Sequence, residues 1–304
     1  MSIRTRFAPS PTGLLHVGNA RAALFCFLFA KKHDGQFVLR LDDTDRERST
    51  QAFADAIQAD LDWLGLKWDE TARQSDRFER YDGVFETLVA QGHVYACYET
   101  PEELERKRKR QLARGKPPVY DRAGLALSAD EKAALEAEGR SAHWRFKLSG
   151  NQVTWRDLVR GEQKIDTASV SDPVIRRADG SWLYTLPSVV DDLDMNISHV
   201  IRGEDHVTNT AAQVELITAL GGEVPEFAHF SLMLGADGSG LSKRLGSLAL
   251  ADLRDSGLEP ISLNAHIARL GTADPVVPAQ TMQEIIDGFD MARLGRAPAR
   301  FDPE

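Results

Sequence analysis

One segment near the amino terminus narrows the choice of fold more than any other: Arg6-Phe7-Ala8-Pro9-Ser10-Pro11-Thr12-Gly13-Leu14-Leu15-His16-Val17-Gly18. Residues 3–8 read as a strand. Pro9 and Pro11 forbid helix in the following loop and stiffen it. From about Gly18 a helix begins, and after Ala22 it is apolar on nearly every side, which requires burial against a sheet. A strand that feeds a glycine-bearing loop and then a helix gathers exposed backbone N–H groups at the positive end of the helix dipole. Phosphate binds at such places. Gly18 lets a ligand approach the backbone closely, and His16 can donate a hydrogen bond to a phosphoryl oxygen as charge develops.

The elements that follow predict a doubly wound sheet. Phe37-Val38-Leu39-Arg40-Leu41 is a second strand and runs into Asp42-Asp43-Thr44-Asp45. Apolar spacing near 3.6 predicts a helix over 51–63, with Thr44, Asp45 or Ser49 expected to cap it. A helix over about 77–91 and a strand over 94–98 come next. This βαβα order predicts a parallel sheet whose ligands bind beyond the carboxyl ends of the strands, where Ala8-Pro9-Ser10 and Asp42-Asp43 both fall. After Tyr98 the texture changes. A charged helix over Glu102–Arg114, the pair Pro117-Pro118, a second charged helix near 128–138 and strand-like pieces across 142–184, including Trp144–Leu148, read as an insertion. The βα pattern resumes near 187, with a helix before the strand Ile197–Arg202 and another helix over about 208–220. A last apolar strand, 227–235, enters the glycine loop Gly235-Ala236-Asp237-Gly238-Ser239-Gly240-Leu241-Ser242-Lys243-Arg244. There Ser242 and Lys243 offer a donor and a positive charge to a polyphosphate. Short helices are predicted at 250–256, 259–270 and 279–287, with no strong structure at Phe301–Glu304.

Composition excludes several classes. With only Cys26 and Cys97 there is no disulfide framework and no cysteine pair of the zinc-binding kind, which fits a reducing cytoplasm and predicts no zinc. The longest uninterrupted apolar stretch, Ala22 to Ala30, is far short of the ~20 residues that span a bilayer, so no membrane association is expected. The residues before the first strand hold no apolar segment with a small-residue cleavage site, so no secretory signal is expected. The 37 basic and 46 acidic side chains leave a net charge of −9, so any contact with nucleic acid must come from a local patch. The strongest is Arg106-Lys107-Arg108-Lys109-Arg110 with Arg114 and Lys116. Since Glu102, Glu103 and Glu105 precede it in helix-stabilising order, a solvated helix face is an equal reading.

Taken together, the thirteen-residue segment and the Ser242-Lys243 loop resemble the two nucleotide-gripping motifs of class I aminoacyl-tRNA synthetases, in the form found in the glutamyl-tRNA synthetase family. The resemblance covers essentially all 304 residues. Where class I enzymes usually read His-Ile-Gly-His, this chain has His16-Val17-Gly18-Asn19. Of the Lys-Met-Ser-Lys-Ser pattern it keeps Ser242 and Lys243, with Gly240 at the first lysine and Arg244 at the last serine. The resemblance implies a Rossmann-type α/β fold with an inserted α+β domain and a small C-terminal helical domain. The corresponding divisions are 1–98 and 187–238 for the two halves of the nucleotide fold, 99–186 for an insert that holds the tRNA acceptor end, and 239–304 for the lysine loop and helical stem-contact domain. It implies ATP, with Mg2+ carried on it, bound by His16, Gly18, Asn19 and Lys243, and catalysis by His16, Ser242 and Lys243. L-Glutamate would be held by Arg6, Ala8, Ser10, Asp42, Tyr184 and Arg202, with Asp42 standing where Glu is usual. No resident metal is implied. The partner is tRNA(Glu), with tRNA(Gln) left open, and the family is typically monomeric.

Nothing in the chain corresponds to the family's anticodon-binding domain, so the expectation is either a truncated form or a short paralogue. The known short paralogue glutamylates the queuosine base of tRNA(Asp) and carries a cysteine-rich zinc site. Here only Cys97 lies near that region, and the Thr100-Pro101-Glu102-Glu103-Leu104 opening is that of the ordinary enzyme. A non-catalytic RNA-binding paralogue would have lost the site residues, which are retained.

Overall fold

The computed structural model describes residues 2–235, 238, 249–279 and 281–301. Strand β1 (Arg4–Phe7) and strand β2 (Gln36–Leu41) flank helix α1 (Val17–Lys32). All of β2 after Gln36 is buried, as expected of a parallel strand covered on both faces. α1 buries residues around its circumference, among them Val17, Ala20, Leu24, Phe25 and Leu28, and ends in Lys31 and Lys32, which suit the negative end of the helix dipole.

Helix α2 (Gln51–Trp63) differs from expectation at its cap. Thr50 Oγ1 accepts the Phe53 amide at 3.2 Å, so the cap is neither Thr44, Asp45 nor Ser49. Asp45 is turned to Arg48 instead, taking its backbone and guanidinium N–H groups. Strand β3 (Glu70–Arg73), helix α3 (Phe78–Ala90) and strand β4 (Val94–Cys97) complete the first part. The inserted stretch carries α4 (Pro101–Ala113), α5 (Ala123–Ala126), α6 (Ala129–Ala137) and strands β5 (His143–Phe146), β6 (Gln152–Asp157), β7 (Gly161–Asp166) and β8 (Val174–Arg176). There follow α7 (Thr185–Asp194), β9 (His199–Gly203), α8 (Val207–Ala219), β10 (Glu226–Phe230) and β11 (Met233–Gly235). Beyond the lysine loop lie α9 (Leu250–Asp255), α10 (Pro260–Arg269), α11 (Met282–Gly288) and strand β12 (Ala299–Phe301).

The main sheet has the order β3-β2-β1-β9-β10-β6-β7. Every neighbouring pair in it is parallel except the β6–β7 hairpin. From β1 the chain winds outward through β2 and β3, then returns to the other side of β1 for β9 and β10. The order therefore reverses between β1 and β9, and a crevice opens there at the carboxyl ends. This is the Rossmann-type arrangement predicted.

Strand membership departs from the sequence grouping in two places. β4, counted with the first half of the nucleotide fold, pairs antiparallel with β5, which pairs with β8, in a separate sheet. The β6–β7 hairpin, counted with the insert, adds two strands to the main sheet beside β10. Neither partner could be read from local pattern, because pairing is set by long-range packing. The apolar run 227–235 is also two strands. At Ser231 the backbone leaves the sheet, its carbonyl accepting Arg21 Nη1 at 2.7 Å, and β11 pairs with β12, a strand that the sequence reading did not include. One apolar core lies between α1, the parallel strands and helices α9 to α11; a second joins α3, α7 and α8 to the small sheet through Tyr81, Phe85, Phe146 and Trp182.

Candidate active site

The loop after β1 is tied to the ends of its neighbours. The Pro9 carbonyl accepts the Asp42 amide at 2.9 Å and the Pro11 carbonyl accepts the Thr50 amide at 3.1 Å. His16 then caps α1 with its imidazole. Its Nδ1 accepts the amides of Gly18 (3.1 Å) and Asn19 (3.3 Å), while its own amide donates to Asn19 Oδ1 at 3.1 Å. Burial holds the imidazole below its ordinary pKa, so it is neutral near pH 7. With Nδ1 committed as an acceptor, the ring proton resides on Nε2, the only position from which His16 can donate to a ligand. Asn19 spends its Oδ1 on the cap, which leaves its Nδ2 amide for a ligand.

A cavity of about 510 Å3 opens at the β1/β9 switch point, and Arg6, Ala8, Ser10, His16, Gly18, Asn19, Tyr184 and Arg202 all line it. These eight positions come from β1, its loop, α1, the start of α7 and β9, and the parallel pairing of β1 with β9 directs Arg6 and Arg202 to one edge. Ser242 and Lys243 lie outside the described residues. Both flanks of their loop sit at the cavity. Met233 and Leu234 line it, while Ala249 bridges His16 and the Leu250 amide donates to the Leu15 carbonyl at 2.9 Å. A larger cleft, about 1070 Å3, lies at the amino ends of the strands near Arg4, Asn196 and Glu226, where no phosphate loop opens.

Asp42 is the one expected substrate ligand that is not on the wall. Its carboxylate is held bidentately by Arg40, Nε to Oδ1 at 2.6 Å and Nη2 to Oδ2 at 3.1 Å, and Arg40 lines the cavity instead. The side chain of Asp42 is one methylene shorter than the usual Glu and is used up inside the wall. Arg40 also meets Asp192 at 2.7 Å, and Asp192 in turn takes Arg6 at 3.0 and 3.3 Å. Burial raises the Asp42 pKa to about 6 although Arg40 opposes it, whereas Arg40 is driven well above its ordinary value by its carboxylates despite burial. The arginine charge is therefore secure, and Asp42 is the member of the pair that titrates.

Arg6 and Arg202 differ sharply. Arg6 enters the cavity already neutralised by Asp192. Arg202 is 7% exposed and, among the described residues, forms no ion pair. Its partners are Tyr184 Oη (2.9 Å), Thr210 Oγ1 (2.8 Å), His229 Nε2 (3.1 Å) and the His206 carbonyl (3.5 Å), none of them anionic. Burial lowers its pKa from the ordinary arginine value. A desolvated guanidinium without a counter-charge is a seat for a carboxylate.

Sequence reasoning missed Arg40, Asp192 and Arg21. Each is a charged residue inside an apolar run, Phe37-Val38-Leu39-Arg40-Leu41, Val189-Val190-Asp191-Asp192-Leu193 or Ala20-Arg21-Ala22-Ala23-Leu24, and that interruption was the available signal. Arg21 is 1% exposed and its pKa is pushed down to about 10 by burial. It bonds the Ser231 and Leu270 carbonyls, and Gly271 (φ +82) gives it room. The His206 ring lies tilted against Tyr184, with centroids 5.5 Å apart, and burial beside Arg202 pushes its pKa down to about 4.

Away from the cavity, the basic run lies on the exposed face of α4, where Lys107 pairs with Glu99 and Asp121, and Arg108 and Lys109 with Glu105. Arg106, Lys107 and Arg110 with Arg140 line a cup of about 390 Å3. The ligand atoms of Cys97, Glu99 and His143 lie within 4.8 Å of one another, a grouping that cysteine spacing could not reveal because His143 comes from the next strand. Burial pushes the Cys97 thiol up to about 11. Among the described residues no helix is long and apolar enough to cross a membrane.

Comparison with known proteins agrees with this geometry. A family model described as tRNA synthetases class I (E and Q), catalytic domain, matches residues 2–304. Glutamate–tRNA ligase 1 of Maricaulis maris is 60% identical over 302 residues, covering 99% of this chain and 68% of the relative. Glutamate–tRNA ligase 2 of Jannaschia sp. is 58% identical over 303 residues, covering 100% and 68%. The crystal structure of a glutamate tRNA ligase from Elizabethkingia meningosepticum in complex with its amino acid superposes with a TM-score of 0.88 at 33% identity, over 99% of this chain and 67% of that one. The chain thus spans about two thirds of the length of these relatives. With the β1 loop, the capped α1 and the switch-point cavity in their places, the chain belongs to the class I tRNA synthetases of the glutamyl and glutaminyl group and corresponds to their catalytic domain.

Proposed function

We propose that the chain is a glutamate–tRNA ligase: it activates L-glutamate with MgATP and transfers the glutamyl group to the 3′-terminal adenosine of tRNA(Glu), with tRNA(Gln) a second acceptor. The glutamate α-carboxylate attacks the α-phosphorus in line, the P–O bond to the β-phosphate breaks, and pyrophosphate leaves. The adenosine hydroxyl then displaces AMP from the adenylate. The protein supplies position and charge, with no covalent intermediate on the enzyme. Nε2–H of His16 and the α1 amides stabilise the phosphoryl oxygens, and Ser242 and Lys243 act on the departing pyrophosphate. Arg202 with Tyr184 takes the substrate side-chain carboxylate, Arg6, Ala8 and Ser10 frame the rest of the amino acid, and Asp42 acts from behind the wall by fixing Arg40. The insert, less its β6–β7 hairpin, holds the acceptor end, with the α4 cations on RNA phosphates. The two unpaired cysteines suit the cytoplasm.

The observation that carries the reading is Arg202, a buried cation that has no counter-ion among the described residues, in the cavity beside the phosphate loop. A neutral glutamine side chain would leave that charge unpaired, which favours glutamate strongly. The test is glutamate-dependent ATP–pyrophosphate exchange with and without tRNA. Exchange that requires tRNA and is lost in Arg202→Ala at ordinary glutamate concentration is the expected result. No exchange in either condition refutes the assignment.

A further inference from the structure

β9 and β10 pair in the register that sets Arg202 directly beside His229, and β6, the next strand across, ends in Asp157. His229 is fully buried and Asp157 is 2% exposed. We propose that Asp157 and His229 form a positioning dyad, which holds the Arg202 guanidinium in place through a neutral acceptor and so keeps its charge available for the substrate carboxylate. The inference deepens the glutamate-binding reading above and rests on it.

The hydrogen bonds leave one consistent set of protons. Asp157 Oδ1 accepts three backbone amides, from Val159 (3.0 Å), Arg160 (2.9 Å) and His229 (3.1 Å). Its Oδ2 takes His229 Nδ1 at 2.5 Å. Nδ1 must therefore carry the ring proton, and Nε2 presents a lone pair. That lone pair accepts Nε–H of Arg202 at 3.1 Å, while Thr210 Oγ1 lies 3.1 Å from the same nitrogen and accepts Arg202 Nη2 at 2.8 Å. Burial keeps the imidazole below its ordinary pKa, consistent with a neutral ring.

This chemistry solves a specific difficulty. A carboxylate beside Arg202 would satisfy its Nε–H but would also cancel its charge, as Asp192 does for Arg6. An aliphatic residue would preserve the charge but orphan a buried donor. A neutral imidazole does neither. Its tautomer has to be fixed, because the other form would set Nε2–H against Nε–H of Arg202. Asp157 fixes it from one strand further away, with its own charge spread over three amides. Asp157 comes from the hairpin that the inserted stretch lends to the main sheet, so the insert reaches the substrate arginine through two side chains.

Asp157→Asn is the informative variant because it keeps the shape. If its amide nitrogen turns toward His229, the ring takes the wrong tautomer. If it turns the other way, it faces three backbone donors. The expected result is a rise of about tenfold or more in the glutamate KM of exchange, with the ATP KM changed less than about threefold. His229→Asn, which retains a donor toward Asp157 but removes the acceptor from Arg202, gives the same split. His229→Gln, which can offer Oε1 to Arg202, recovers part of the loss. Equal losses in both KM values, or a glutamate KM unchanged in folded Asp157→Asn and His229→Asn, overturn the dyad. Glutamate binding measured by calorimetry separates the two levels. An unaltered chain that does not bind glutamate overturns the ligase reading and the dyad with it. Equal affinity in the unaltered chain and both Asn variants overturns the dyad alone.

Discussion

His16 carries two roles that a single substitution can separate. Its Nδ1 caps α1 through Gly18 and Asn19, and its Nε2–H is the donor proposed above to act on the nucleotide in the cavity that His16 lines. Asparagine is among the best N-cap residues, and its Oδ1 can accept the same amides. The reciprocal bond, from the backbone amide of residue 16 to Asn19 Oδ1, does not involve the side chain at 16. His16→Asn should therefore leave stability within about 0.5 kcal/mol, whereas His16→Ala loses the cap and should cost about 1 kcal/mol. Asparagine does not reach the position of Nε2. Removal of one preorganised donor from a developing oxyanion costs on the order of 10²–10³ in rate, about 2.7–4 kcal/mol. The two variants should thus differ in urea unfolding while sharing the same deep loss of tRNA-dependent ATP–pyrophosphate exchange. An Asn variant that exchanges within threefold of the parent would show that Nε2 does not act on the nucleotide. An Asn variant as unstable as Ala would show that the cap depends on the ring.

Three further outcomes are expected. Arg40→Met removes a fully buried cation and leaves Asp42 without its partner; a cost of about 3–5 kcal/mol is expected at pH 7.5 in denaturant titration. The cost should shrink at pH 5, because Asp42 with its pKa already near 6 can then take up a proton. Lys243→Ala should lower the exchange rate by about 10²-fold or more with unfolding unchanged, and an unaffected rate would remove that residue from pyrophosphate release. Thermal stability should fall as the pH drops from about 6.5 toward 4. His16, His143, His199, His206 and His229 all have folded pKa values depressed by burial, so the unfolded chain takes up protons first and the stability present above pH 6.5 is lost. Asp42 and Asp60, both raised by burial, work in the opposite direction toward the acid end of this interval, as two groups against five. A melting temperature that stays constant or rises over this interval contradicts the depressed histidines.

Local sequence determined the parts whose physics is local. The prolines, the glycine and the all-round apolar helix specified the strand, loop and helix at the amino terminus. The Thr100/Glu103 and Ser128/Glu131 pairs, spaced as reciprocal caps, start α4 and α6 close to where their charged stretches were expected. The βα alternation was enough for a parallel sheet, and hence for Arg6 and Arg202 meeting at one edge. Tertiary structure alone decided matters that depend on which strands and side chains become neighbours across long separations. It placed β6 and β7 in the main sheet, detached β4 from it, and broke the 227–235 run where Arg21 captures the Ser231 carbonyl. It also decided charge. From the sequence, Arg6 and Arg202 are equivalent arginines and Asp42 is a free carboxylate. In the fold Asp192 neutralises Arg6, Arg40 holds Asp42 in the wall, and His229 leaves Arg202 charged. A residue's type fixes its charge, but the counter-charges within a few ångströms, and the water that burial removes, fix what that charge can bind.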